Sequence, residues 1–239
     1  MDTLIAGLRK FVTTVHAQDR ELYRSLADGQ QPAAFIIACS DSRVNPSAIT
    51  QAAPGALFIA RNAGNILPTR GNGGGEAATL QYAVEVLKVQ DVIICGHSDC
   101  GAVKALLNGG VPALAEVHKW IGHSSRVIEL MKQYPDQDPA RRLRYAVECN
   151  VLVQLDHLQS YDFVQDAVAE GRLNLHGWYF DIPTGEVFGW NPDAGAFTPI
   201  VTDDRTDIHF MLPSAIECGH EHSPDCGHDQ LSPGDVHGR

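Results

Sequence analysis

The 239-residue sequence contains no run approaching the roughly 18 consecutive apolar residues that a membrane-spanning helix requires, which predicts no membrane partner. Its N-terminus lacks the basic-then-apolar pattern of a secretory leader, so the chain is expected in the cytosol. Positive charge is scarce, with Lys+Arg 18 against Asp+Glu 29 and a formal net charge of −11. A general nucleic-acid or anionic-membrane binder needs a basic footprint to displace counterions, and none is present. Internal repeats are absent. The glycine-rich stretch Gly71 to Gly75 precedes a helical pattern, as a phosphate cradle would. It lacks both the Lys-Ser/Thr of a P-loop and the G-x-G-x-x-G spacing, so it reads as a flexible turn. Cysteines are few and widely spaced: Cys39, Cys95, Cys100, Cys149, Cys218 and Cys226. In a cytosolic protein they are expected as thiols, with metal binding or catalysis favoured over disulfides.

An apolar share of 44% is enough for a sizeable core, and the length fits one compact domain with terminal arms. Leu4, Leu8, Val12, Val15, Leu22 and Leu26 recur at amphipathic-helical spacing and predict an N-terminal helical arm that Gly29 closes. Ala33–Ala38, Ala56–Ala60 and Asp91–Cys95 are short continuous apolar runs that end in polar loops, the signature of strands buried on both faces of a parallel sheet. Glu76–Lys88 carries helical spacing between the second and third of them. Pro139 opens a further helical pattern through Leu143, Val147, Val151, Leu155 and Leu158, and a second one runs from about Tyr161 to Gly171. His176–Phe180 and Glu186–Trp190, joined by Asp181–Gly185, read as a hairpin at the sheet edge. The expected fold is therefore α/β: a central, mostly parallel sheet flanked by helices over residues 1–202, followed by a C-terminal extension, 203–239, without regular periodicity.

Cys39 stands at the end of the first predicted core strand, and His97 and Cys100 stand just past the end of the third. Parallel strands bring those loops to one sheet edge, where ligands of such sheets bind. Two thiolates and an imidazole suit Zn²⁺, and three protein ligands leave the fourth position open, as in catalytic sites. Taken singly, each is more simply a buried thiol or a core histidine. The combination, in polar loops directly after buried strands, makes a metal site the alternative of equal weight. Asp41 and Arg43 follow Cys39 at i+2 and i+4. Asp41 either ligates the metal and closes the site, or is held by Arg43 and accepts a hydrogen bond from metal-bound water; an ordinary ion pair pinning the loop has the same spacing.

The stretches CSDSRVNPS from Cys39, RNAGN from Arg61 and GHSDCGAVKALL from Gly96 resemble the β-class carbonic anhydrases, especially the cyanobacterial carboxysomal form, over roughly residues 3–192. The resemblance implies a zinc lyase that interconverts CO2 and bicarbonate. Cys39, His97 and Cys100 match the family's ligands of one Zn²⁺ per chain, and Asp41 and Arg43 its gating and catalytic pair. It further implies a substrate pocket across a dimer interface from Gln30, Phe58, Tyr82 and Gly101, with Ala63 in place of the family's valine. Bicarbonate-inhibited bacterial relatives carry a tryptophan three positions before the first cysteine; Ile36 stands there, which predicts no bicarbonate lock. A homodimer, possible higher oligomers, a carboxysome lumen location and a scaffold partner for the C-terminal extension are also implied.

Chemically, zinc lowers the pKa of bound water from about 15.7 toward 7, and the resulting hydroxide attacks CO2. CO2 is apolar, so the expected pocket is small and apolar, with Gln30 donating to the developing carboxylate. The same hydroxide would attack carbonyl sulfide or carbon disulfide. A thiolate phosphatase using Cys39 and Arg43 would need five residues between them where three stand, and a non-enzymatic zinc scaffold would not need an open position. In the extension, Cys218, His220, His222, Cys226 and His228 form either a second metal site or a metal-free docking arm; their spacing fits no common finger. His118, His123, His157 and His176 read as surface or core residues.

Overall fold

The computed structural model describes residues 1–200, so the Cys/His cluster of the extension lies outside the described residues. The N-terminal arm is helical throughout: α1 (Asp2–Lys10) runs through a π turn at Phe11–Val15 into α2 (His16–Gln18), and α3 (Arg20–Ala27) follows. The C-terminal end of its apolar stripe, at Leu26, lies against Gly55, but the N-terminal part stays exposed among the described residues. Leu4, Leu8 and Val12 are 68%, 66% and 62% exposed.

Strand β1 (Ala34–Cys39) leads into the loop with Asp41 and Arg43 and then α4 (Pro46–Thr50). Asn45 caps α4 by accepting the Ala48 N–H, and Pro46 supplies the fixed φ of its first position. Then come β2 (Leu57–Asn62), α5 (Gly75–Gln81) with a π turn at Tyr82–Val86, β3 (Asp91–His97), α6 (Gly101–Leu107), α7 (Ala115–Ile121) and α8 (Arg126–Lys132). The long helix α9 (Pro139–Leu158) is capped by Asp138, whose carboxylate accepts the Arg141 N–H at 2.9 Å. Helix α10 (Asp162–Ala169), β4 (Asn174–Phe180), β5 (Val187–Asn191) and β6 (Ala196–Pro199) complete the described chain.

The six strands form one sheet in the order β2-β1-β3-β4-β5-β6. Strands β2, β1, β3 and β4 run parallel, and β5 and β6 are antiparallel additions. The expected hairpin is present as β4 and β5, but the edge belongs to β6, which pairs with β5 beyond it. The period of two divides β1 between two cores. Phe35 and Ile37 pack with Val151, Leu155 and Leu158 of α9, whereas Ile36 and Ala38 pack with Val44, Ile93 and Phe180 on the opposite face.

Helix α9 approaches the sheet closely because two strand positions have no side chain. A Cβ on Gly96 would lie 2.8 Å from Val151 Cγ2 and 2.9 Å from Val147 Cγ1, and one on Gly177 would lie 2.8 Å from Val151 Cγ1. Gly177→Val should therefore push α9 outward. The expected loss of about 1–3 kcal/mol corresponds to a fall in Tm of roughly 2–12 °C. A calorimetric Tm equal to that of the unsubstituted protein would contradict this close packing.

Candidate metal centre

Strands β1 and β3 are hydrogen-bonded neighbours in parallel register, with Ala38 opposite Cys95, so their C-terminal ends lie side by side. That adjacency brings Cys39, His97 and Cys100 together with every ligand atom within 4.8 Å of the others, and all three residues are buried. Tetrahedral ligation at about 2.0–2.3 Å separates neighbouring ligand atoms by about 3.5–3.8 Å, so the cluster needs only a small contraction around an ion.

The imidazole is set for ligation. His97 Nδ1 lies 2.8 Å from the Ser98 carbonyl oxygen, which can only accept, so the proton resides on Nδ1. Nε2 then carries its lone pair inward, and this buried atom has no hydrogen-bond partner. An orphaned acceptor between two thiols fits a soft cation.

The thiols share one proton. Cys39 is held well below the ordinary thiol range, chiefly by a hydrogen bond from Cys100, with help from the N–H groups of Gly64 and Asp41, against the opposing effect of burial. Cys100 is pushed up by the same bond and by burial. A cation entering the cluster replaces that proton, so uptake is coupled to proton release. Cys95 points elsewhere. Burial and the nearby Cys39 charge raise it to about 12, which keeps it a neutral thiol.

The Asp41 carboxylate is turned to Arg43, not into the ligand cluster. Its Oδ1 accepts from the Arg43 backbone N–H at 3.0 Å and from Nε at 2.9 Å, and its Oδ2 accepts from a terminal guanidinium nitrogen at 2.7 Å. This paired grip holds Asp41 well below the usual carboxylate range. Arg43 also donates to Asp99 at 3.2 Å, and Asp99 in turn pairs with Lys104. With its donors on two carboxylates, Arg43 is not arranged as a phosphate clamp. Arg61 fixes the loop from beneath, donating to the carbonyls of Cys39 at 3.0 Å and Asp41 at 2.7 Å.

Of the remaining expected site residues, Gly101 follows Cys100 at the start of α6, and Ala63 precedes Gly64, whose N–H donates to Cys39 Sγ at 3.4 Å. Gln30, Phe58 and Tyr82 lie elsewhere on the same chain. Phe58 pairs in register with Phe35, four positions before Cys39, or about 13 Å along the strand. Its ring lies 6.0 Å from that of Tyr82. Gln30 lines a surface cavity of about 640 Å³ with Leu26, Gly55 and Leu87, away from the cysteines. Arg61, Asp99 and Lys104 join the site although their motifs assign them no role there. Arg61 could have been found by its place at the end of the predicted second strand, directly beside the Cys39 loop.

A parallel-sheet α/β protein with a soft three-ligand cluster at the C-terminal rim of its strands defines a metal-binding class of enzyme fold. The family model described as carbonic anhydrase matches residues 34–187. A carbonic anhydrase from Pseudomonas aeruginosa is 42% identical over 189 residues, covering 78% of this chain and 86% of the relative. One from Synechocystis is 37% identical over 233 residues, with 96% and 84% covered. The solved β-carbonic anhydrase CcaA superposes with a TM-score of 0.81 at 39% identity, covering 83% of this chain and 98% of that one. A tetrameric β-carbonic anhydrase from Sordaria macrospora superposes at 0.71 with 27% identity, covering 82% and 98%. The chain belongs to the β-class carbonic anhydrases.

Proposed function

We propose that the protein binds one Zn²⁺ per chain through Cys39 Sγ, His97 Nε2 and Cys100 Sγ and catalyses reversible hydration of CO2 to bicarbonate and a proton. The observation that carries this reading is the orphaned, buried Nε2 of His97 between two thiols. When bound, zinc supplies the Lewis acid that lets water ionise near neutral pH.

The chain's own groups then position the reactants. Asp41, kept ionised by Arg43, accepts a hydrogen bond from the attacking oxygen and orients it at the CO2 carbon. Ala63 and Gly101 border the open side, and Gln30 donates to the carboxylate oxygen that develops. Gln30, Phe58 and Tyr82 reach a metal site only from a second chain, so the minimal active unit in this reading is a homodimer. The exposed apolar stripe of α1 and the π turn is a surface suited to that pairing, and the tetrameric fungal relative supports assembly.

Residues 1–202 constitute the catalytic domain in this proposal. No helix among the described residues is long and apolar enough to cross a membrane. A cytosolic or carboxysomal location, with the extension docking on a scaffold, accords with the cyanobacterial relatives. Truncation after residue 202 should leave one zinc per chain and an unchanged CO2 hydration rate. A drop in zinc below the full-length value would instead place a metal in the Cys/His-rich extension.

Stopped-flow assays of one preparation against CO2, carbonyl sulfide and carbon disulfide test the reaction itself. Rapid turnover is expected with CO2. Turnover confined to either sulfur compound would overturn the assignment.

A further inference from the structure

The peptide linking Ala63 to Gly64 is held at both ends. Its N–H donates to Cys39 Sγ at 3.4 Å, and its carbonyl accepts the indole N–H of Trp120, on α7, at 2.8 Å. The next peptide is gripped as well, since the Gly64 carbonyl accepts from Asn150 Nδ2 at 3.0 Å. Asn150 is itself fixed by Gln154, which donates to Asn150 Oδ1 at 3.0 Å and accepts the Leu67 N–H at 2.9 Å. Both of these α9 side chains are buried. Gly64 has a φ of +82°, and a Cβ there would lie 2.9 Å from the Cβ of Ala102, so only glycine takes this backbone arrangement without strain.

A carbonyl that accepts a hydrogen bond polarises its peptide and strengthens the N–H at the other end. An N–H bond to a thiolate withdraws charge from the sulfur and fixes its direction. From this geometry we infer that Trp120 is a positioning residue of the metal centre: its indole N–H orients and polarises the Ala63–Gly64 peptide so that the Gly64 N–H stays on Cys39 Sγ, with Asn150 securing the adjoining peptide. The inference rests on the proposed role of Cys39 as a ligand. It adds a residue in α7, far along the sequence, to the determinants of how firmly and how electronically that sulfur holds its cation.

Trp120→Phe removes the donor and keeps a large apolar ring at a half-buried position. Trp190→Phe is the matched control, because Trp190 Nε1 is buried without a hydrogen-bond partner. The Trp120 variant should fold with a Tm within a few degrees of the parent and still bind one metal per chain. Its Gly64 amide proton should move upfield, in metal-free and in zinc-loaded protein alike. The sulfur-to-metal charge-transfer band of its Co²⁺ form should shift, and zinc release to a chelator should accelerate by about tenfold, the lower end of effects from outer-shell partners. Asn150→Ser should move the same signals in the same direction.

Gly64 amide and Co²⁺ spectra unchanged in Trp120→Phe, or equally changed in Trp190→Phe, would overturn the inference. Failure of the unsubstituted protein to bind zinc would overturn the ligand reading instead, while the Gly64 amide of metal-free protein still decides whether Trp120 positions that peptide.

Discussion

Substituting His97 by Ala should leave the protein without stoichiometric zinc and lower CO2 hydration by more than about a thousandfold. Without a Lewis acid, water returns to a pKa of about 15.7, and at neutral pH its ionised fraction falls by between eight and nine orders of magnitude relative to a site that ionises water near 7. The loss cannot be moderated by another nearby donor. Cys95 is not part of the ligand cluster, its thiol donating instead to the Gly96 carbonyl at 3.6 Å, and Asp41 is engaged by Arg43 at both oxygens. Cys39→Ser should give the same result through loss of a soft ligand. Elemental analysis and stopped-flow rates on one preparation check both outcomes together. Full zinc content in His97→Ala would remove the imidazole from the site.

Asp41→Ala should separate binding from turnover. Zinc content is expected to stay at one per chain, because Asp41 stands outside the ligand cluster, while CO2 hydration falls on the order of a hundredfold through loss of orientation. The pH dependence has a defined sign. Arg43 first, by its side-chain hydrogen bonds, lowers the Asp41 pKa, so the pair's contribution is present above the usual carboxylate range and is lost only as pH falls below it. Any activity limb between about pH 6 and 9 consequently arises from another group, and Asp41→Asn should lower the rate while leaving that limb in place. A pH–rate profile flat across this window in the unsubstituted protein would argue against ionised water as the nucleophile. Unchanged activity in Asp41→Ala would remove the carboxylate from the mechanism.

The parallel strands and the ligand trio were legible because one periodicity carries both. Continuous apolar runs such as FII in β1 and VII in β3 are interpretable without long-range information, and the chemistry sits in the polar loops that end them. The short helices α6, α7 and α8 were not, since seven residues give just under two helical turns. Strand β6 was missed for a similar reason, being four residues long and partly exposed.

The buried polar face of α9 was hidden in another way. Val147, Val151 and Leu155 announce the face packed on the sheet, but Asn150 and Gln154 look like ordinary solvent-side residues until the 62–68 loop is known to cover them. The pairing of Trp120 with Ala63 spans 57 positions and has no local sequence signal at all. The N-terminal stripe was read correctly as an amphipathic face, although a sequence pattern cannot say whether that face packs within its own chain or against another. Here Leu4, Leu8 and Val12 remain exposed within the chain.

Metal-free protein titrated with Zn²⁺, with stopped-flow CO2 hydration followed at each addition, tests the account most directly. The rate should rise linearly and reach its plateau at one zinc per chain, with Cys39→Ser remaining inactive throughout. Full activity before zinc is added, or a rate that ignores occupancy of the Cys39, His97 and Cys100 cluster, would contradict it.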